Sequence, residues 1–131
     1  VRGELAGALE ADPGFLHGAA MQKALHDLML SPGRTDDLSA WLASTTAAAL
    51  AAELRAQTTM RDLSADLADL ATRIYLRVGA LDLACPPACS EAILRSAPRA
   101  SLELVDGAGH ALLTEDLTAT TAAIERELAR R

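Results

Sequence analysis

Asp82 and His110 are the two residues whose types and surroundings can do chemistry together. Gly79 stands three residues before the aspartate, and Gly107 and Gly109 precede the histidine. A carboxylate bonded to one imidazole nitrogen fixes the tautomer of the ring and stabilises the imidazolium formed after proton transfer. The other nitrogen is then left to accept a proton, so the pair can act as orienting acid and general base in nucleophilic catalysis. Other reactive groups suggest less. His17 and His26 are nine residues apart in helical sequence, which is no metal-ligand spacing, and they read as surface residues. Cys85 and Cys89 flank Pro86-Pro87, but a zinc site needs two more ligands at similar spacing and the sequence offers none. They read as reduced thiols of a cytoplasmic protein.

The elements around Asp82 and His110 decide whether they can meet. Ile74-Tyr75-Leu76-Arg77-Val78 is a short β-prone run, and Ser101-Leu102-Glu103-Leu104-Val105 is a second, alternating in polarity. Between them, residues 88–96 are amphipathic and follow a proline pair, which suits a helix entry where a missing N–H costs nothing. A strand, a helix and a strand make a βαβ unit with parallel strands. Parallel strands place their carboxyl ends on one sheet edge, where open α/β sheets carry their sites. Asp82 and His110, 28 residues apart, each lie just past a strand end and should therefore occupy neighbouring loops. The strands should be parallel and adjacent, and a carboxylate oxygen of Asp82 should lie within about 3.5 Å of a ring nitrogen of His110.

Residues 1–61 read as helices: 2–11, then 15–30 after the Asp12-Pro13-Gly14 break, then a long helix over 36–56 after Ser31-Pro32-Gly33. Trp41 lies on the apolar stripe of that long helix, either as a core residue or in the wall of a substrate pocket. Leu63, Leu67 and Leu70 share a face of a short helix over 63–70. A last helix begins near Thr114 and runs to the end, with Leu117, Thr121, Ile124 and Leu128 inward. Asp36-Asp37 and Glu115-Asp116 read as helix-start charges. The composition shifts near 71–73, from an all-helical piece to a β-α-β-α piece.

The 131 residues suit one domain, and at 50% hydrophobic they can fill a core. A net charge of −6 with no basic stripe argues against nucleic acid and against an anionic membrane surface. No apolar run approaches the roughly 18 residues that span a bilayer. The opening Val1-Arg2-Gly3-Glu4 is no signal peptide, and a start on valine inside a helical pattern reads as a fragment or a processed product.

Three stretches carry a family resemblance. Val78-Gly79-Ala80-Leu81-Asp82-Leu83-Ala84-Cys85-Pro86-Pro87 resembles the segment of α/β-hydrolases that bears the triad acid. Leu104-Val105-Asp106-Gly107-Ala108-Gly109-His110 resembles their G-x-G-H segment, which bears the triad histidine. Asp62-Leu63-Ser64-Ala65-Asp66-Leu67 is similar to the stretch joining lid to core. The likeness covers 62–131, with 1–61 matching loosely as a lid, and is nearest to the enol-lactone hydrolase and cofactor-free haloperoxidase-like branch.

The resemblance implies the C-terminal part of an α/β-hydrolase fold: a helical lid over 1–66, then a β-α-β-α part of the core over 67–131. Asp82 and His110 would be two members of a catalytic triad acting on an ester, lactone or related acyl bond, with Trp41 as a substrate contact. No metal or organic cofactor is implied. The sequence departs from the family at the strand entry, where Thr72-Arg73 replaces the usual proline, and at Arg77 inside the strand. It also has no G-x-S-x-G-like nucleophile elbow. The nucleophile and the oxyanion hole would have to come from a missing N-terminal half or a companion chain, and this chain alone should be inactive. The rival readings are an acyltransferase or haloperoxidase-like enzyme on the same fold, and a non-catalytic protein, either a degenerate hydrolase or a helical interaction module.

Overall fold

Short polar side chains set most of the boundaries in the helical part of the chain. In a computed structural model, which describes residues 2–130, α1 (Arg2–Ala11) ends before Asp12, whose carboxylate caps a 3-10 turn at Pro13–His17 by accepting from the Gly14 N–H at 2.9 Å. Gly18 is extended, so α2 (Ala19–Met29) starts later than the apolar period of 15–30 suggests. The long helix expected over 36–56 is two: α3 (Ser39–Ala43) and α4 (Ala47–Thr58). The hydroxyls of Ser44 and Thr45 donate to the Trp41 carbonyl, and Thr46 caps α4 by accepting from the Ala49 N–H at 3.1 Å. Such local side-chain bonds compete with continued helix, and apolar periodicity does not report them.

The described chain divides into two compact units: the segment up to His26 with Thr35–Asp62, and Asp27–Arg34 with the segment from Leu63 onward. In the first, α1 packs against α4 around Ala6, Leu9, Leu16, Met21, Leu25, Leu42 and Ala51. Leu9 and Leu16 are fully buried, each contributing about 1.5–3 kcal/mol of transfer free energy. Trp41 is 42% exposed and lies outside this core; Leu42, one residue on, takes the inward position.

The second unit carries the sheet. β1 (Ile74–Gly79) and β2 (Ala100–Val105) are adjacent and parallel, in register from Ile74 opposite Ala100 to Gly79 opposite Val105. The crossover helix α6 (Pro87–Ser96) touches both strands and α5 (Ser64–Ala68). Leu63 and Leu70 are exposed and α5 has no buried residue, so the shared apolar face read there makes no core. The C-terminal helix is also interrupted: α7 (Leu112–Glu115) is a single turn, and α8 (Leu117–Ala129) follows.

The inward face of α8 is not the expected one. Thr120 and Ala123 are buried, whereas Leu117, Ile124 and Leu128 are exposed. The cause is a polar network on one face of the sheet. The register sets Arg77 opposite Glu103, and Arg77 Nε donates to that carboxylate at 3.1 Å. Its other nitrogens donate to Asp116 at 2.9 Å and to the Thr120 hydroxyl. Tyr75, two residues from Arg77 and so on the same face, donates to Glu103, and Arg126 donates to both. An arginine inside a strand is thus tolerated because its guanidinium is hydrogen-bonded in three directions.

Hydrogen bonds from Tyr75 and then Arg77 hold the Glu103 carboxyl below its ordinary value, whereas burial and then Glu103 push the Tyr75 phenol up. Burial alone would lower the Arg77 guanidinium, but the bonds to Asp116 and Glu103 raise it.

Two outcomes follow. Breaking a fully buried pair costs about 3–5 kcal/mol, but Glu103 and Asp116 keep 37% and 32% of their side-chain surface, so Arg77→Met should cost about 2 kcal/mol in urea unfolding. Because Glu103 has a lowered folded pKa, its stabilisation is complete above the unfolded value and is lost as pH falls through the folded one. Acid titrations of unfolding should therefore steepen below about pH 4 in the wild type and flatten in Glu103→Gln.

Candidate functional site

The turn after β1 is built around the carboxylate of Asp82. Its Oδ1 accepts from the backbone N–H groups of Ala84 at 2.9 Å and Cys85 at 2.8 Å. The Asp82 N–H donates to the Gly79 carbonyl at 3.2 Å, which closes the turn. The second oxygen, Oδ2, lies 2.8 Å from Nδ1 of His110. Asp82 is only 5% exposed, so the carboxylate has exchanged water for these partners.

His110 sits in the loop after β2. Gly107 has a φ of +74°, a left-handed conformation that side chains disfavour, and turns the chain back towards the β1 loop. Ala80 and Leu81 then donate backbone bonds to the carbonyls of Val105 and Ala108, both at 2.9 Å, stitching the two loops together. The approach is closest at Gly79, where a Cβ atom would collide with the carbonyl oxygens of Ala108 and Gly109. On the far side of the histidine, Ala111 donates to the Met29 carbonyl at 2.8 Å.

With Asp82 ionised, its oxygen can only accept, so the proton lies on Nδ1 and Nε2 is the imidazole nitrogen able to take another. The His110 side chain is 34% exposed, which leaves the ring reachable. The arrangement can orient an imidazole, hold one tautomer and stabilise the cation formed on proton uptake.

Sequence reasoning brought these two residues together and missed what fixes them. Glu115 and Asp116 do stand at a helix start, just before α8, but their carboxylates bond elsewhere: Asp116 gives its to Arg77 rather than to a helix N–H. Glu115 ends α7, and its carboxylate accepts from the Gly109 N–H at 3.0 Å, the Ser31 N–H at 3.2 Å and the Ser31 hydroxyl. The one available signal was a carboxylate five residues past the histidine. Nothing in the sequence linked it to Ser31. At Asp37 the carboxylate does bond a helix N–H, that of Ser39 at the entry to α3.

The remaining candidates are distributed over several elements. Trp41 is on α3, while His17 is in the 3-10 turn and His26 on α2. Cys85 and Cys89 are exposed and neither is in a disulfide, and Ser90 and Ser96 lie on α6. Among the described residues no cluster of three His, Cys, Asp or Glu side chains is placed to hold a metal ion. Among the same residues no helix is long and apolar enough to cross a membrane.

No family model and no curated protein matches the sequence. Solved structures do. An esterase from Thermogutta terrifontis superposes with a TM-score of 0.78 at 20% identity, over 98% of this chain and 48% of its own. A protein described as a non-heme bromoperoxidase, BpoC from Mycobacterium tuberculosis, gives 0.72 at 17% identity, over 98% and 52%. A bacterial membrane phospholipase A gives 0.70 at 16% identity, over 89% and 40%. The chain carries part of an α/β-hydrolase fold. It spans about half the length of each of these proteins. In this α/β-hydrolase part, the parallel strands bring Asp82 and His110 to the same sheet edge.

Gly79→Ala should be the most damaging single methyl in this region. Overpacking typically costs about 1–3 kcal/mol, and here the obstructing atoms are backbone carbonyls that cannot rotate away, so the upper end is expected. Urea unfolding would give the loss, and the His110 ring resonances should shift with it.

Proposed function

We propose that this chain is the acid–base part of a hydrolase acting on an ester, a lactone or a related acyl bond. The observation that carries the reading is the 2.8 Å contact between Asp82 Oδ2 and His110 Nδ1 at the carboxyl edge of a parallel pair. The likeness in fold to an esterase and a phospholipase supports the class of bond. In this reading His110 takes a proton from the nucleophile through Nε2, then returns it to the leaving group, while Asp82 holds the tautomer and stabilises the imidazolium. The nucleophile and the oxyanion hole come from a segment outside these residues, either the same protein's N-terminal half or a companion chain. The helical region over 1–66 acts as a lid, with Trp41 as a candidate substrate contact. The chemistry needs no metal or organic cofactor, and the protein works in the cytoplasm with reduced thiols at Cys85 and Cys89.

The test is ester hydrolysis with p-nitrophenyl butyrate. Alone, the chain should be no faster than buffer. Combined with the segment that bears the nucleophile elbow, it should turn over, and Asp82→Asn should lower kcat by roughly 10⁴ and His110→Ala by roughly 10⁶. Turnover that survives both substitutions would rule the reading out.

A further inference from the structure

We infer that Glu115 is a positioning residue for His110: its carboxylate clamps the loop that presents the imidazole onto residues 30–31. The inference rests on the reading of Asp82 and His110 as an acid–base pair and names what keeps that pair assembled.

Glu115 closes the single turn of α7, two residues before α8 begins. Its carboxylate is held by three donors. Oε1 receives the N–H of Gly109, the residue immediately before His110, at 3.0 Å. The same oxygen receives the Ser31 N–H at 3.2 Å, and Oε2 receives the Ser31 hydroxyl. Ser31 is buried and Glu115 half-buried, and hydrogen bonds to an ionised carboxylate are stronger than neutral ones.

The fit around Gly109 has no slack. A Cβ there would lie 2.6 Å from Ser31 N, 2.7 Å from Leu30 C and 2.8 Å from Glu115 Oε1. One residue beyond the histidine, the Ala111 N–H donates to the Met29 carbonyl at 2.8 Å. His110 is thus bracketed: Ala111 is tied to the 29–31 segment directly, and Gly109 is tied to it through Glu115. Without the carboxylate, the Gly109 N–H and the Ser31 N–H would both lose their acceptor, and the chain before the ring would keep its bond to the β1 loop through Ala108 but lose its tie to Ser31. The imidazole would then sample positions in which Nδ1 leaves Asp82.

The experiment reads His110 directly and needs no turnover. In the 15N-labelled chain, the His110 Nδ1 proton is identified by its loss in Asp82→Asn, and its exchange with water is measured beside the backbone amides of Gly109, Val78 and Leu104. Glu115→Ala should speed exchange of the Nδ1 proton and the Gly109 amide by about tenfold while Val78 and Leu104 keep their rates. Glu115→Gln retains a carbonyl acceptor for Gly109 and should stay within about threefold of the wild type. Should Glu115→Ala fail to fold, Ser31→Ala, which removes the hydroxyl alone, should still speed both exchanges by about threefold while sparing Val78 and Leu104. Unchanged exchange at His110 and Gly109 in Glu115→Ala, or in Ser31→Ala where that variant carries the test, overturns the inference. So does equal acceleration at all four sites, or a Glu115→Gln variant as fast as Glu115→Ala. A wild type with no Asp82-dependent proton would instead bring down the acid–base pair itself, and the clamp with it.

Discussion

The loops bearing Asp82 and His110 come together across a place where there is no room for a side chain. Gly79 ends β1 with its Cα against the carbonyls of Ala108 and Gly109, and the rest of the second unit is arranged around that contact. The parallel register brings Gly79 level with Val105, so the two chains leave the sheet at the same height. Backbone bonds from Ala80 and Leu81 then fasten one loop to the other before any catalytic side chain is involved. The 2.8 Å Asp82–His110 contact is the end of this sequence of constraints, not its cause.

The sheet shows how an acidic, leucine-rich chain can use polar contacts for work usually done by apolar ones. Arg77, Glu103, Tyr75, Asp116, Thr120 and Arg126 join both strands to the C-terminal helix. With the sheet side of α8 taken by Thr120, Ala123 and these hydrogen bonds, the larger apolar residues of that helix are turned outward. Most members of the network have more than one partner, so its bonds act together rather than as separate pairs.

The parts of this fold legible in the sequence were those written in local runs. Ile74–Val78 and Ser101–Val105 are short, β-prone and bounded by turn residues, and the 28-residue separation of Asp82 and His110 is set by one crossover. The helical half was read less well, since a stripe of alanine and leucine does not show where Ser44, Thr45 and Thr46 divert hydrogen bonds from the helix. Trp41 illustrates the same limit: a position on an apolar period does not say which of two neighbours, Trp41 or Leu42, turns inward. Least legible was Glu115, whose partner Ser31 lies 84 residues away with no motif to connect them.

That distance separates the two members of the pair in the kind of closure that holds them. Asp82 is held by Ala84 and Cys85, two and three residues away. His110 is flanked by ties to Met29 and, through Glu115, to Ser31, contacts that span some 80 residues of chain. Closing so long a loop costs more chain entropy than closing a turn. The acid is thus fixed by local chain and the base by distant chain, so an insertion or cut between residues 31 and 110 bears on the histidine before it bears on the aspartate.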